Sequence, residues 1–247
     1  MRGFTNLTMA SFKLYLREPI AAFFTMAFPA LMLILFGSIY GNEPSPMFGG
    51  HGTMDVSMPN YTGLILGTVG LLSIPITTAG YRELGVLRRF RATPMRPLTY
   101  IAADVCTNLL MTIVGMLLLL AMGWALYRVQ FEGRIVSYLA AVVLGCLAMF
   151  SLGYVIASLA PGARMAQVVG MVIFYPMLFL SGAGMPIEIL PESVRKISAF
   201  LPLTYAVNLL RGMWFGEAWS AHLKDVAVLA VMIVVVGGVA ARVFRWE

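Results

Sequence analysis

Six apolar segments, each about as long as a bilayer's hydrocarbon core is thick, run through this chain: 20–40, 61–81, 101–127, 135–159, 164–183 and 226–244. A helix needs about 20 apolar residues to cross that core. Inside lipid, a helix is the one single-segment structure that satisfies its own backbone donors and acceptors. The pattern therefore predicts an all-α polytopic membrane protein with six transmembrane helices in one domain, 1–247. Composition points the same way. Of the 247 residues, 11% are charged and 60% hydrophobic, whereas a soluble domain carries about 25% charged residues. So little charge cannot coat a globular surface in water. A soluble enzyme, a disordered chain and a disulfide-stapled secreted domain are excluded. Cys106 and Cys146 both lie in apolar stretches and read as small packing residues. The first segment has too long an apolar core for a signal peptide, and no small-residue cleavage site follows it.

The formal charge of +6 reads as topology. No basic run or motif points to nucleic acid. With the N-terminus inside, the inner pieces hold Arg2, Lys13, Arg17, Arg82, Arg88, Arg89, Arg91, Arg96, Arg164, Arg242 and Arg245, eleven basic residues against six outside. Cytoplasmic loops carry the Lys and Arg excess, so both termini are assigned to the cytoplasm. Residues 1–19 are too short and too charged to span. Arg2, Lys13 and Arg17 fall on one arc of a helix whose other faces are apolar, which predicts an N-terminal interfacial amphipathic helix that Pro19 ends. It reads either as a topogenic anchor or as a lever to a cytoplasmic partner.

The segment after the second span, 82–97, is the most informative. It runs Arg82-Glu83-Leu84-Gly85-Val86-Leu87-Arg88-Arg89-Phe90-Arg91-Ala92-Thr93-Pro94. A short helix that exposes Leu87 and Phe90 among arginines suits a groove on another protein. The alternative is a basic loop whose apolar residues touch lipid. The last outer segment, 184–222, is punctuated by Pro186, Pro191 and Pro202. It reads as a re-entrant extracellular hairpin between spans five and six, with a seventh span near 199–216 as the rival.

Several elements, in order and spacing, carry a family resemblance. They are Arg17-Glu-Pro19 before span one; Arg82-Glu83, Gly85, Leu87 and Thr93-Pro94 after span two; and Phe179-Leu-Ser-Gly182 closing span five. Pro186, Leu190-Pro191, Leu201-Pro-Leu-Thr-Tyr205 and Arg211-Gly212 continue the series. Together the chain resembles the membrane subunit of ABC type 2 exporters, the permease family that includes the daunorubicin-resistance permeases. The resemblance implies that the loop after span two is a coupling helix seated in a separate ABC ATPase subunit, with Glu83, Leu84, Gly85, Leu87, Arg88, Phe90, Arg91, Thr93 and Pro94 at the contact. It further implies two ATPase copies holding ATP and Mg, a second permease chain, surrounding lipid, and the inner membrane of a bacterium or archaeon; an identical second chain, a homodimer, is the first expectation and a different permease the alternative. The expected activity is export of a hydrophobic or amphipathic drug or lipid. A glycan or lipid-linked polymer is the runner-up, and a non-transporting membrane scaffold is the alternative from another class.

The chain's own residues limit what it does alone. The lysines are Lys13, Lys196 and Lys224, and none follows a glycine. The phosphate-cradling loop ending in Gly-Lys is thus missing, so no cofactor is expected in this chain and no catalytic or metal residue is assigned. His51 and His222 fall in outer loops, away from any embedded nucleophile. Asp104 is the one acid within the spans and reads as an interfacial or capping carboxylate, or as a partner for a loop arginine. Phe24, Phe28, Met32, Phe36 and Tyr40 recur every four residues, and Phe174, Tyr175 and Phe179 surround Pro176. These aromatics are candidates for a substrate path, with lipid contact or packing as the alternative. Gly63 and Gly67 have the spacing that lets helices approach closely. Purified alone, the chain is expected neither to bind nor to hydrolyse ATP. Robust hydrolysis by a contaminant-free preparation would overturn the expectation of a separate ATPase.

Overall fold

The computed structural model describes residues 23–86, 97–184, 186–187 and 191–243, with the backbone alone at 97–100. Arg2, Lys13 and Arg17 lie outside the described residues, as do Leu87, Arg88, Phe90, Arg91, Thr93 and Pro94. Among the described residues, eight helices of seven residues or more follow in chain order: α1 (Phe23–Tyr40), α2 (Thr53–Glu83), α3 (Pro97–Tyr127), α4 (Ile135–Leu159), α5 (Ala163–Leu180), α6 (Glu192–Ser198), α7 (Pro202–Trp214) and α8 (Leu223–Val243). Six of them, all but α6 and α7, are long and apolar enough to cross a membrane. Strand pairing among the described residues is limited to one isolated bridge, Pro44 to Gly52. The protein is an all-helical, multi-pass membrane protein, as the apolar segments require.

The helices are not equivalent. In α2, 83% of the most apolar stretch is buried by the rest of the chain, against 22% in α1, 28% in α5 and 11% in α8. The bundle is assembled around α2. This helix starts at Thr53, inside the stretch that hydropathy assigns to the first outer loop. Its first three turns carry Asp55, Ser57, Asn60 and Thr62, which lower the hydropathy yet are buried in protein. Most of these polar groups are satisfied locally. Asp55 Oδ2 accepts from the Gly52 amide at 3.1 Å. Ser57 Oγ donates to the Thr53 carbonyl at 2.7 Å, and Thr62 Oγ1 to that of Met58 at 3.0 Å. Tyr138 on α4 then donates its hydroxyl to Thr62 Oγ1 at 2.9 Å. Such bonds let a polar helix end remain inside the bundle.

Midway along, α2 widens into a π turn at Val69–Ser73. Here three glycines bring backbones together. A Cβ on Gly153 of α4 would collide with the Gly70 carbonyl, and one on Gly170 of α5 with the Leu71 carbonyl. A Cβ on Gly70 itself would lie 2.7 Å from that of Met149. Without a hydrophobic drive between helices in lipid, such close contact is the main source of association. Gly63 and Gly67 serve the same end within the chain, because Val207 and Leu203 of α7 fill the space above them.

The helix α7 rises about 20 Å, short of the hydrocarbon core of about 30 Å. It packs against α2, α4 and α8, with Leu203, Val207, Leu210 and Trp214 buried. Its end is fixed by edge-on ring contacts of Trp214 with Phe131 at 5.0 Å and with Tyr138 at 5.5 Å.

The glycine crossing makes a direct prediction. Gly153→Val should lower the melting temperature of the detergent-solubilised protein markedly, since overpacking costs about 1–3 kcal/mol. Gly238→Val should leave it unchanged, because nothing lies within 4 Å of a Cβ there. Equal melting of the two variants would contradict the close crossing.

Candidate functional site

Two regions stand out, one at each end of the bundle. The ends are called outer and inner after the Lys and Arg distribution. At the outer end a cavity of about 270 Å³ opens between α1, the start of α2 and the segment after α5. Its wall is aromatic and methionine-rich: Phe36 and Tyr40 from α1, Met54 and Tyr61 from α2, Met47 and Phe48 from the intervening loop, with Gly184 and Pro186 opposite. Phe36 and Tyr40 stack, with centroids 6.2 Å apart and planes 15° from parallel.

Of the aromatic ridge on α1, only these two rings reach the cavity. Phe28 and Met32 pack half-buried against the core. Phe24 lies in the π turn Phe23–Ala27 that opens α1, its ring 5.6 Å from that of Phe28. The α5 aromatics do not converge on the cavity. Phe174 is fully buried beside Gly67. Tyr175 and Phe179 are 42% and 58% exposed and point out of the bundle. With Met165, Val168 and Val172, also exposed, they form an apolar stripe at alternating spacings of three and four, the repeat of a helix face that meets another helix.

Polar joints hold the outer rim. Asn42 Oδ1 accepts from the amides of Met54 at 2.9 Å and Asp55 at 3.2 Å. Its Nδ2 donates to the Tyr127 carbonyl at 3.1 Å and to Asp55 Oδ1 at 3.2 Å. Asp55 Oδ1 also accepts from the Gln130 amide at 2.9 Å. One Asn–Asp pair thus ties the ends of α1, α2 and α3 together. His51 packs on Phe215 with centroids 4.4 Å apart and planes tilted by 40°, and its Nδ1 lies 3.4 Å from Glu132 Oε1. Both ring nitrogens of His222 sit 2.9 Å from carboxylate oxygens, of Asp225 and Glu217, joining the end of α7 to the start of α8. Hydropathy and spacing do not reveal these joints. The one available signal is the presence of Asn42, His51, Asp55, His222 and Asp225 in or beside the outer loops.

At the inner end, α2 stops at Glu83 because Gly85 turns left-handed, φ 69°. Leu84 is 74% exposed. Arg82 Nη2 donates to the Ala160 carbonyl, and Glu83 Oε2 accepts from the Ala163 amide at 3.0 Å. Both contacts fall on the turn between α4 and α5. Of the residues singled out in 82–97, Glu83, Leu84 and Gly85 are therefore at the inner tip of α2. Asp104, on α3, accepts a 2.6 Å hydrogen bond from the Tyr154 hydroxyl of α4 through its Oδ2.

The profile of the ABC-2 type transporter family matches residues 2–215. The chain belongs to the ABC-2 type transporter family. Among relatives, this ABC-2 chain is similar to Nodulation protein J of Rhizobium leguminosarum bv. viciae, 31% identical over 130 residues that cover 46% of this chain and 50% of that protein. It is similar to the Inner membrane transport permease YhhJ of Escherichia coli K12, 25% identical over 173 residues, 66% of this chain and 46% of that one. It is also similar to the Putative transport permease ycf38 of Cyanophora paradoxa, 24% identical over 224 residues, 88% and 76% of the two chains. The chain spans about half the length of the first two of these relatives. It is a multi-pass membrane protein of that family.

The Asn42–Asp55 joint carries the rim's stability. Asp55→Ala would leave the amides of Gly52 and Gln130 without acceptors, and a buried unpaired donor costs about 1–3 kcal/mol. The variant should melt several degrees lower, with Asp55→Asn between it and the native protein. A native-like melt for Asp55→Ala would show that water replaces the carboxylate freely.

Proposed function

We propose that this ABC-2 permease is the membrane half of an ATP-driven exporter, moving a hydrophobic or amphipathic drug or lipid out of the cytoplasm or inner leaflet. The observation that carries the reading is where α2 ends. The most buried helix of a chain that matches an ABC-2 family over 2–215 closes at Glu83, inside the arginine-rich segment 82–97 of the sequence. A force on that segment enters the bundle at its centre. In this reading the segment is the coupling helix, Leu84, Leu87 and Phe90 are its apolar contacts, and the occupant of its far side is a separate ABC ATPase present in two copies.

Each ATPase supplies ATP and Mg, and this chain supplies the path. A second, identical permease chain completes the cleft, and the unpartnered stripe Met165, Val168, Val172, Tyr175 and Phe179 on α5 suits that contact. The helices α6 and α7 form a hairpin that dips in from the outer face and caps the cleft. Both termini face the cytoplasm, in the inner membrane of a bacterium or archaeon. The aromatic and methionine lining of the outer cavity favours an apolar cargo, since such side chains adapt to greasy surfaces of varied shape.

Leu87→Asp or Phe90→Asp should abolish co-purification of the ATPase while the chain still inserts, because an uncompensated charge at an apolar contact costs about 3–5 kcal/mol. Normal co-purification and normal export in both variants would point to a plain lipid-facing loop. In liposomes with the ATPase, Phe36→Ala with Tyr40→Ala should alter transport of a nitrobenzoxadiazole-labelled phospholipid without lowering expression. A fall in expression alone would make these rings packing residues.

A further inference from the structure

Arg82 and Glu83 close α2 immediately before the arginine-rich segment, and both reach sideways to another part of the bundle. Arg82 donates to the Ala160 carbonyl, and Glu83 accepts from Ala163, the first residue of α5. The start of a helix presents unpaired amides and the positive end of its dipole, which a carboxylate satisfies. A helix usually obtains this from a Ser, Thr, Asp or Asn of its own at the N-cap. Here the N-cap is Gly162, which supplies no side-chain bond. The cap of α5 comes instead from α2.

The joint is also closely packed. A Cβ on Gly162 would sit 2.6 Å from Glu83 Oε2, and one on Gly80 would lie 3.5 Å from that of Ala163. Ala79, Ala160 and Ala166 form a buried cluster of small side chains between the same three helices. At its other end α5 leads into Gly184 and Pro186, which wall the outer cavity. The inner tip of α2 and the start of α5 are thus bound into one body, and α5 spans the distance from that body to the cavity.

We infer that Arg82 and Glu83 are a latch that carries a displacement of the segment after α2 to α5, and through it to the outer cavity. They are positioning residues for coupling. This rests on the exporter reading above, in which an ATPase pushes on that segment. Capping alone would affect stability. A latch also governs whether the far end of α5 responds to nucleotide.

The test uses the chain reconstituted in nanodiscs with its ATPase, with hydrogen–deuterium exchange followed at 87–96 and at the outer end of α5, 177–184. Magnesium ATP with vanadate is compared with no nucleotide. In the native complex both regions should change exchange. In the Arg82→Ala/Glu83→Ala variant the change at 87–96 should persist and that at 177–184 should be lost. A bridge should restore it. In a Cys106→Ala/Cys146→Ala background, Gly80→Cys with Ala163→Cys has the Cβ separation of a disulfide. Oxidised, the pair should return the response at 177–184 to the latch variant, and reduction should remove it again.

A response at 177–184 retained in the latch variant, or absent from the native complex while 87–96 responds, overturns the latch alone. A native complex unresponsive at both regions overturns the exporter reading and the latch together. Should the latch variant fail to fold, the cysteine pair in the otherwise native chain decides. Oxidation must leave the response intact, and its loss on oxidation would show that α2 and α5 separate during the cycle.

Discussion

The whole bundle depends on the close crossing of α2 with α4 and α5 at Gly70, Gly153 and Gly170. Lipid offers helices no hydrophobic reason to associate, so contact must come from shape. Three glycines, set at a π turn, let backbone meet backbone where a single added methyl would collide. Because the crossing lies near the middle of α2, both ends of that helix are held by what surrounds them, and α2 becomes the buried axis on which α1, α3 and α7 also pack.

The two ends of this axis are finished differently. The outer end is knotted by polar groups that bridge several helices. Asn42 and Asp55 join three helix ends, and His222 lies between two carboxylates. Beside these joints lies the aromatic cavity, where Phe36 and Tyr40 stack with little polar surface around them. The inner end has two side chains gripping one turn, with Leu84 exposed just beyond. Among the described residues, the outer rim is therefore held at more points than the inner tip of α2.

Membership of the ABC-2 family gives these features a context that geometry alone lacks. The ABC-2 type transporter profile over 2–215 covers the axis, the aromatic ridge and α7. The resemblance carried by Arg82-Glu83, Gly85 and Thr93-Pro94 and by the proline-marked outer segment agrees with that match. The first relatives share only part of their length with this chain, so cargo and assembly rest on the physical argument from the cavity, the α5 stripe and the inner tip of α2.

The sequence by itself determined six spanning helices and the all-α class. Lipid permits no other use for apolar runs of that length, and charge is too sparse for a soluble surface. The family was legible too, in the order of short motifs around spans two and five. What only tertiary structure decided is which neighbour each face meets. Thr53 to Asn60 reads as loop because its polar residues depress hydropathy, yet Asp55, Ser57 and Thr62 find partners and the helix starts at Thr53. Phe174 and Phe179 stand about 140° apart on a helical wheel, on different faces, but only the fold shows that the first is fully buried beside Gly67 and the second faces outward. Glu83 reads as part of a docking segment, and its carboxylate caps α5. Periodicity assigns a residue to a face of its own helix. The partner of that face is set by the folding of segments eighty or more residues away, a long-range choice that no local pattern records.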